Sequence, residues 1–241
     1  MHQKLLLTVL SMFLFTAVHA QKLSKNEKKI VKAIEQNNAE AISFLEKVVN
    51  INSGTLNLKG VEMVGQEFAS AFTDIGFEST WIPMPEEMNR AGHLFAEIKG
   101  TKGKKLLLIG HLDTVFEEDS PFQKFEMVND SIAHAPGGND MKGGDVIVLY
   151  ALKALQQNGL LNDAQIIVAF TGDEESTGSP LEKSRHDLIE AAKRSEIGLG
   201  FENSTGFNYA TVARRGSSGW KVEVEGKRAH SSGIFSEDTG A

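Results

Sequence analysis

The 241-residue sequence contains no cysteine. Disulfides, thiolate metal ligands and cysteine nucleophiles are therefore excluded, and any bound metal must be held by histidine, aspartate or glutamate side chains. An excess of basic residues is also missing, because 25 lysines and arginines are outnumbered by 32 aspartates and glutamates, which gives a net charge of -7. No basic patch stands out, and this argues against nucleic acid as the main partner.

A long hydrophobic run is missing as well. The apolar stretch Leu5–Phe15, which follows Lys4, has eleven residues, too few to span a bilayer. The small-residue site Val18–Ala20 comes next, so residues 1–20 are predicted to be a secretory signal peptide. We expect a secreted or periplasmic protein without membrane association after cleavage. An uncleaved anchor is the alternative.

Short apolar segments alternate with amphipathic patterns along the rest of the chain. Three segments are almost purely apolar, which is typical of strands buried on both faces in a parallel sheet covered by helices. These strands are predicted at Lys104–Ile109, Gln165–Phe170 and Ile197–Phe201. Further strands are predicted at Glu78–Ile82 and Leu94–Ile98, a hairpin within 122–132, and helices over 26–49, 61–75, 146–155 and 186–194.

The pattern changes near the end of the sequence. Apolar residues at 220, 222 and 224 alternate with charged residues, which indicates a strand with one face exposed to water, as in antiparallel sheets. We therefore predict one α/β domain over residues 21–205 and the beginning of a second, α+β unit over residues 206–241.

Acidic side chains and one histidine follow the three apolar strands and a glycine-rich turn. In chain order they are His111, Asp113, Asp140, Glu174, Glu175 and Glu202. Ligand sites in open α/β sheets lie beyond the carboxyl ends of the strands, so we expect these side chains to converge. Crowded carboxylates repel each other unless a cation neutralises them. One histidine with several carboxylates suits zinc, although cobalt or manganese would accept the same ligands.

The segments GHLDTV, GGNDMKGG, GDEE and FEN occur in this order. They resemble the zinc-dependent exopeptidases and deacylases that include glutamate carboxypeptidase, aminoacylase and succinyl-diaminopimelate desuccinylase. The resemblance covers residues 30–241. It implies a three-layer α/β catalytic domain with a mostly parallel central sheet, followed by the start of an α+β lid and dimerisation domain. It also implies a homodimer in the full-length form.

The resemblance implies a metal-binding role for four residues. His111 and Glu202 would bind one zinc ion, and Glu175 would bind a second. Asp140 would bridge the two ions, and in two-metal hydrolases such ions lie about 3.5–4 Å apart.

Three further residues receive roles from the same resemblance. Glu174 would be the general base that takes a proton from metal-held water, because zinc lowers the pKa of its water to about 7. Asp113 would orient the ring of His111. His230 matches the histidine that in dimeric members reaches the partner's active site and helps to polarise the scissile carbonyl. A plain surface histidine is the alternative at this position.

The implied activity is hydrolysis of an amide bond next to a free carboxylate, in a peptide or an N-acyl amino acid. Glutamate at position 202 resembles the carboxypeptidase and deacylase branch more than the dipeptidase and tripeptidase branch. An aminoacylase or dipeptidase on the same scaffold is one alternative, and a non-catalytic zinc-binding remnant is another. Family members also carry a late metal-binding histidine and a lid residue for the substrate carboxylate. These have no counterpart in the 241 residues, so we expect the chain alone to be inactive.

Overall fold

The computed structural model describes residues 22–206, 209–213, 215–216, 218–223 and 225. The described residues divide into two units, with the boundary between Asn203 and Ser204. The predicted signal peptide lies outside the described residues. Among the residues that are described, no helix combines the length and the apolar character needed to cross a membrane.

Two amphipathic helices open the first unit. Helix α1 spans Lys25–Val49 and begins with a capping box, in which the Ser24 hydroxyl accepts a hydrogen bond from the Glu27 amide and the Glu27 carboxylate accepts one from the Ser24 amide. These bonds satisfy amides that have no partner within the helix. Helix α2 spans Leu58–Asp74 and is capped by the side chain of Asn57. Both helices confirm the sequence prediction.

A five-stranded sheet with the order β1-β2-β6-β3-β7 forms the centre of this unit. The strands are β1 (Glu78–Pro83), β2 (Gly92–Lys99), β3 (Lys102–His111), β6 (Ala164–Thr171) and β7 (Ile197–Gly200). Strand β3 runs parallel to β6 and β7, whereas β2 runs antiparallel to β1 and β6. Among the described strands of this sheet, β1, β3, β6 and β7 therefore run in one direction and only β2 runs in the opposite direction. This confirms a mostly parallel sheet.

The remaining elements connect the strands. A 3-10 helix (Glu86–Met88) precedes β2, and a hairpin of β4 (Glu126–Asn129) and β5 (Ile132–His134) follows β3. An irregular helical turn (Gly138–Lys142) leads into α3 (Gly143–Gln157), and the short α4 (Leu181–Ser184) and α5 (His186–Lys193) lie between β6 and β7.

Apolar side chains pack on both faces of the sheet, which gives the predicted three layers. On one face, helices α1, α2 and α3 cover a core that includes the fully buried Phe68, Phe72 and Phe170. The Phe68 and Phe170 rings meet edge to face with centroids 5.3 Å apart. On the other face, Ile167 and its neighbours pack against Ala191 of α5.

Two expectations about burial are wrong. Strand β7 was predicted to be buried, but Ile197 and Leu199 are 42% and 43% exposed. Among the described residues β7 pairs only with β3, so it is an edge strand. The amphipathic pattern of the helix over residues 26–49 also places Ile34 and Ile42 on its apolar side, but both are exposed, because α1 buries a narrower stripe that includes Ala33 and Val48.

The second unit differs from its prediction in the residues that are described. Residues 209–213 and 218–223 form no strand, and Trp220 is 88% exposed. A strand is stable only when it pairs within a sheet, and the alternating pattern alone does not supply the neighbouring strands.

Candidate metal centre

The parallel pairing of β3 and β6 brings the ends of both strands to one edge of the sheet. His111 is paired with Thr171, and the Leu112 amide donates a 2.7 Å hydrogen bond to the Thr171 carbonyl. The residues that follow the two strands, Asp113 and the Glu174–Glu175 pair, therefore leave the sheet side by side.

The glycine-rich turn carries Asp140 to the same edge. Gly137 has a φ of +66°, and a Cβ at this position would lie 2.2 Å from Cγ2 of Thr114, so the turn requires glycine here. The buried side chain of Lys142 donates hydrogen bonds of 2.8 Å to the carbonyl of Val48, in the last turn of α1, and of 3.0 Å to the carbonyl of Ile51, just after it. The turn is thereby held between the sheet and α1.

Three of the predicted ligands form a compact cluster. Nε2 of His111 lies 3.1 Å from Oδ1 of Asp140 and 3.4 Å from Oε1 of Glu202. One potential ligand atom from each residue lies within 4.8 Å of the other two. One imidazole and two carboxylates in this arrangement fit a single divalent cation such as zinc.

The charge around His111 is negative in excess. Burial lowers the pKa of His111, but the hydrogen bond to Asp113 and the charges of Asp113 and Glu202 outweigh burial and raise the pKa to about 10. The same negative charges that favour a proton on this ring would also favour a metal cation bound to it. The electrostatics and the ligand geometry therefore point to the same cationic site.

Asp113 contacts more than the histidine ring. Nδ1 of His111 lies 3.0 Å from the carbonyl oxygen of Asp113 and 3.5 Å from its carboxylate Oδ1. The carboxylate accepts a 2.7 Å hydrogen bond from the Thr55 hydroxyl and bonds of 3.0 and 3.1 Å from the amides of Glu174 and Glu175. The carbonyl thus orients the ring, while the carboxylate holds the loop after β6.

The other predicted site residues lie around this cluster. Glu174 is exposed and Glu175 is half-buried, and Glu175 is not a member of the three-residue cluster found among the described residues. Burial and the charge of Asp140 raise the pKa of Glu175, and the charge of His111 opposes this. Glu175 is therefore close enough to Asp140 and His111 to interact electrostatically with both. His230 lies outside the described residues.

Comparison with known proteins identifies the family. Residues 107–224 match the sequence profile of Peptidase family M20/M25/M40. Over 219 residues the chain is 32% identical to carboxypeptidase G2 of a Pseudomonas species, which covers 86% of this chain and 49% of that protein. A probable succinyl-diaminopimelate desuccinylase of Staphylococcus epidermidis is 34% identical over 146 residues, 58% of this chain and 34% of that protein. The chain belongs to peptidase family M20/M25/M40.

The resemblance inferred from the four sequence motifs is thereby confirmed, and the fold agrees. The crystal structure of human carnosine dipeptidase 1 superimposes with a TM-score of 0.64 and 17% identity, covering 75% of this chain and 41% of that one. This likeness concerns the fold of the M20 catalytic domain. The chain spans about half the length of carboxypeptidase G2 (49%).

The structure of this M20 family member adds supporting residues that the sequence analysis did not single out. Thr55 binds Asp113, and Asp145 is fully buried near the cluster without a hydrogen-bond partner among the described residues. The buried Asp173 forms an ion pair with the half-buried Arg185 behind the Glu174–Glu175 loop. Asp173 is the aspartate of the GDEE segment, so only this residue had a signal in the sequence.

Proposed function

We propose that the protein is a zinc-dependent hydrolase that cleaves an amide bond next to a free carboxylate, in a peptide or an N-acyl amino acid. The observation that carries the proposal is the cluster of His111, Asp140 and Glu202 in a field of excess negative charge. The relationship to carboxypeptidase G2 and to a probable succinyl-diaminopimelate desuccinylase supports amide hydrolysis as the reaction.

Four side chains would hold the metal in this proposal. His111 and Glu202 would bind one zinc ion, Glu175 would bind a second, and Asp140 would bridge them. The raised pKa values of Glu175 and Glu202, each caused first by burial and then by neighbouring carboxylates, support this assignment, because a cation would relieve the same repulsion. Bound zinc supplies a Lewis acid that polarises water and the substrate carbonyl.

Glu174 is assigned the proton transfer. Its amide is held by Asp113 at 3.0 Å, while its side chain is exposed at the edge of the sheet. A carboxylate anchored through its own backbone keeps its oxygens available to take a proton from water and to pass it to the leaving amine.

The test compares Glu174→Gln with Glu182→Gln, an exposed glutamate of α4 that lies outside the cluster. The assay uses the protein as its gene encodes it, with N-acyl amino acids and dipeptides offered as free acids and as methyl esters. We expect zinc-dependent turnover of the free acids, a loss of about 10²–10⁴-fold in Glu174→Gln, and no loss in Glu182→Gln. Zinc content should be equal in all three proteins.

Two results would contradict the proposal. One is the absence of turnover: if zinc still binds, this favours the non-catalytic zinc-binding remnant, and if zinc does not bind, the metal site itself is refuted. The other is full activity in Glu174→Gln, which would remove this residue from the reaction. Turnover of dipeptides but not of N-acyl amino acids would instead favour a dipeptidase on the same scaffold.

A further inference from the structure

Asp173 lies directly before Glu174 and is completely buried. Its Oδ2 accepts hydrogen bonds from the Gly178 amide at 2.8 Å and from the Ser184 hydroxyl at 2.7 Å. Its Oδ1 lies 2.5 Å from Nη1 of Arg185. A buried carboxylate with three donors, one of them charged, is well compensated for the loss of water.

The guanidinium of Arg185 also makes hydrogen bonds to both ends of the segment from Asp173 to Thr177. Its Nη2 donates to the carbonyl of Asp173 at 3.2 Å and to the hydroxyl of Thr177 at 3.1 Å. A planar group that binds both ends of a five-residue segment restrains the backbone between them. Glu174 and Glu175 belong to that segment.

His93 ties the start of the same loop to the chain before α5. The Gly172 amide donates to Nδ1 of His93 at 3.1 Å, so Nδ1 carries no proton. Nε2 therefore carries the proton and donates to the Ser184 carbonyl at 2.8 Å. The ring is fully buried, so this connection is shielded from water.

The loop is thus held from two directions. Asp113 binds the amides of Glu174 and Glu175, whereas Asp173 is bound from behind by Ser184 and Arg185. The backbone is restrained on both sides, and the two glutamate side chains take none of these bonds.

We propose that Asp173, Ser184, Arg185 and His93, here called the Asp173 clamp, position Glu174 and Glu175 for metal binding and proton transfer. The proposal rests on the proposed function for its consequence, but its structural part, the restraint of residues 172–178, stands by itself. Arg185 touches neither the cluster nor Glu175 in the described structure, so it acts as a positioning residue. Outer partners of metal ligands change metal affinity by about 10–100-fold.

Arg185→Met is the variant that tests the clamp, and Arg194→Met is its matched control. Arg185 directly precedes α5 and Arg194 directly follows it. Arg194 also forms an arginine–carboxylate pair, with Nη1 2.5 Å from Oε1 of Glu97, but it does not contact the loop. Far-UV circular dichroism establishes that both variants fold. Ser184→Ala, which removes one hydrogen bond of the clamp, replaces Arg185→Met if that variant does not fold.

The first measurement is amide hydrogen exchange in the metal-free protein. We expect at least tenfold faster exchange in residues 172–178 for the clamp variant and wild-type exchange there for Arg194→Met. Equal exchange in both variants overturns the proposal, whether or not the protein is an enzyme.

The second measurement is titration with Co²⁺, followed by its visible absorption. We expect the clamp variant to bind the ion assigned to Glu175 about 10–100-fold less tightly than the wild-type protein does. The ion at His111 should bind with unchanged affinity. Wild-type affinity for both ions would confine the clamp to loop stability and overturn its positioning role. Failure of the wild-type protein to bind any metal would instead refute the proposed function and leave the exchange experiment to decide the clamp.

Discussion

Replacing Asp145 with asparagine tests the electrostatics beneath the candidate metal centre. Asp145 lies in the first turn of α3, is fully buried, and neither carboxylate oxygen has a hydrogen-bond partner among the described residues. Burial raises the pKa of Asp145 well above its ordinary value, and the positive charges of His111 and Lys142 only partly oppose this. Asparagine keeps the shape of the side chain but never carries a charge.

The sign of the effect follows from the raised pKa. The folded state retains a proton that the unfolded state releases, so the stability of the wild-type protein falls as pH rises from the ordinary value of 3.8 toward the folded-state pKa. A buried polar group without a partner costs about 1–3 kcal/mol, and more when it is charged. We therefore expect Asp145→Asn to raise the free energy of unfolding by about 2 kcal/mol at pH 8, with a gain of about 4–8 °C in Tm.

The assay is urea unfolding between pH 3.5 and 8 in the presence of a chelator, so that no metal contributes. The gain in Asp145→Asn should be absent at the acidic end and should grow with pH. Asp163→Asn is the control with the opposite sign, because hydrogen bonds from Thr101 lower the pKa of Asp163, so its loss should reduce stability at neutral pH. A destabilised Asp145→Asn at pH 8, or a gain that does not change with pH, would refute the reasoning.

Two further substitutions probe the packing around the site. Phe68→Ala should lower the free energy of unfolding by about 3–5 kcal/mol, because the ring is fully buried against Phe72 and Phe170. Gly110→Ala should cost about 1–3 kcal/mol, because its Cβ would lie 2.0 Å from Oδ1 of Asp145. Denaturant unfolding measures both changes. A Gly110→Ala cost that is unchanged in an Asp145→Ala background would show that this contact is not its cause.

The sequence predicted the central strands because they are unbroken apolar segments. Strands β3 and β6 are buried on both faces, and a segment in that position has no exposed side on which polar residues would alternate. The same rule overestimated the burial of β7. An apolar composition shows that a strand could be buried on both faces, but it does not determine whether the strand lies in the middle or at the edge of the sheet. The exposed Ile34 of α1 illustrates this for a helix, because helical spacing does not determine how wide a stripe of the helix the neighbouring elements cover.

The candidate ligands could be predicted because His111 and Glu202 follow strands whose ends must meet and Asp140 lies in a glycine-rich turn between them in sequence. His111, Asp140 and Glu202 do come together. Apart from Asp173 of the GDEE segment, the residues that support these ligands could not be predicted, because they are remote in sequence and carry no motif of their own. His93 binds Gly172 across 79 positions, and Asp145 looks in the sequence like an ordinary acidic residue in the first turn of a helix.

The register between β3 and β6 connects the core with the chemistry. His111 is paired with Thr171, and this places the Asp113 carboxylate opposite the amides of Glu174 and Glu175. A shift by one residue would turn each side chain of a strand to the other face of the sheet, so Phe170 would leave the core and Asp113 would lose both amides together. The packing that buries Phe170 therefore also selects the one register in which the carboxylate loop can be held beside His111.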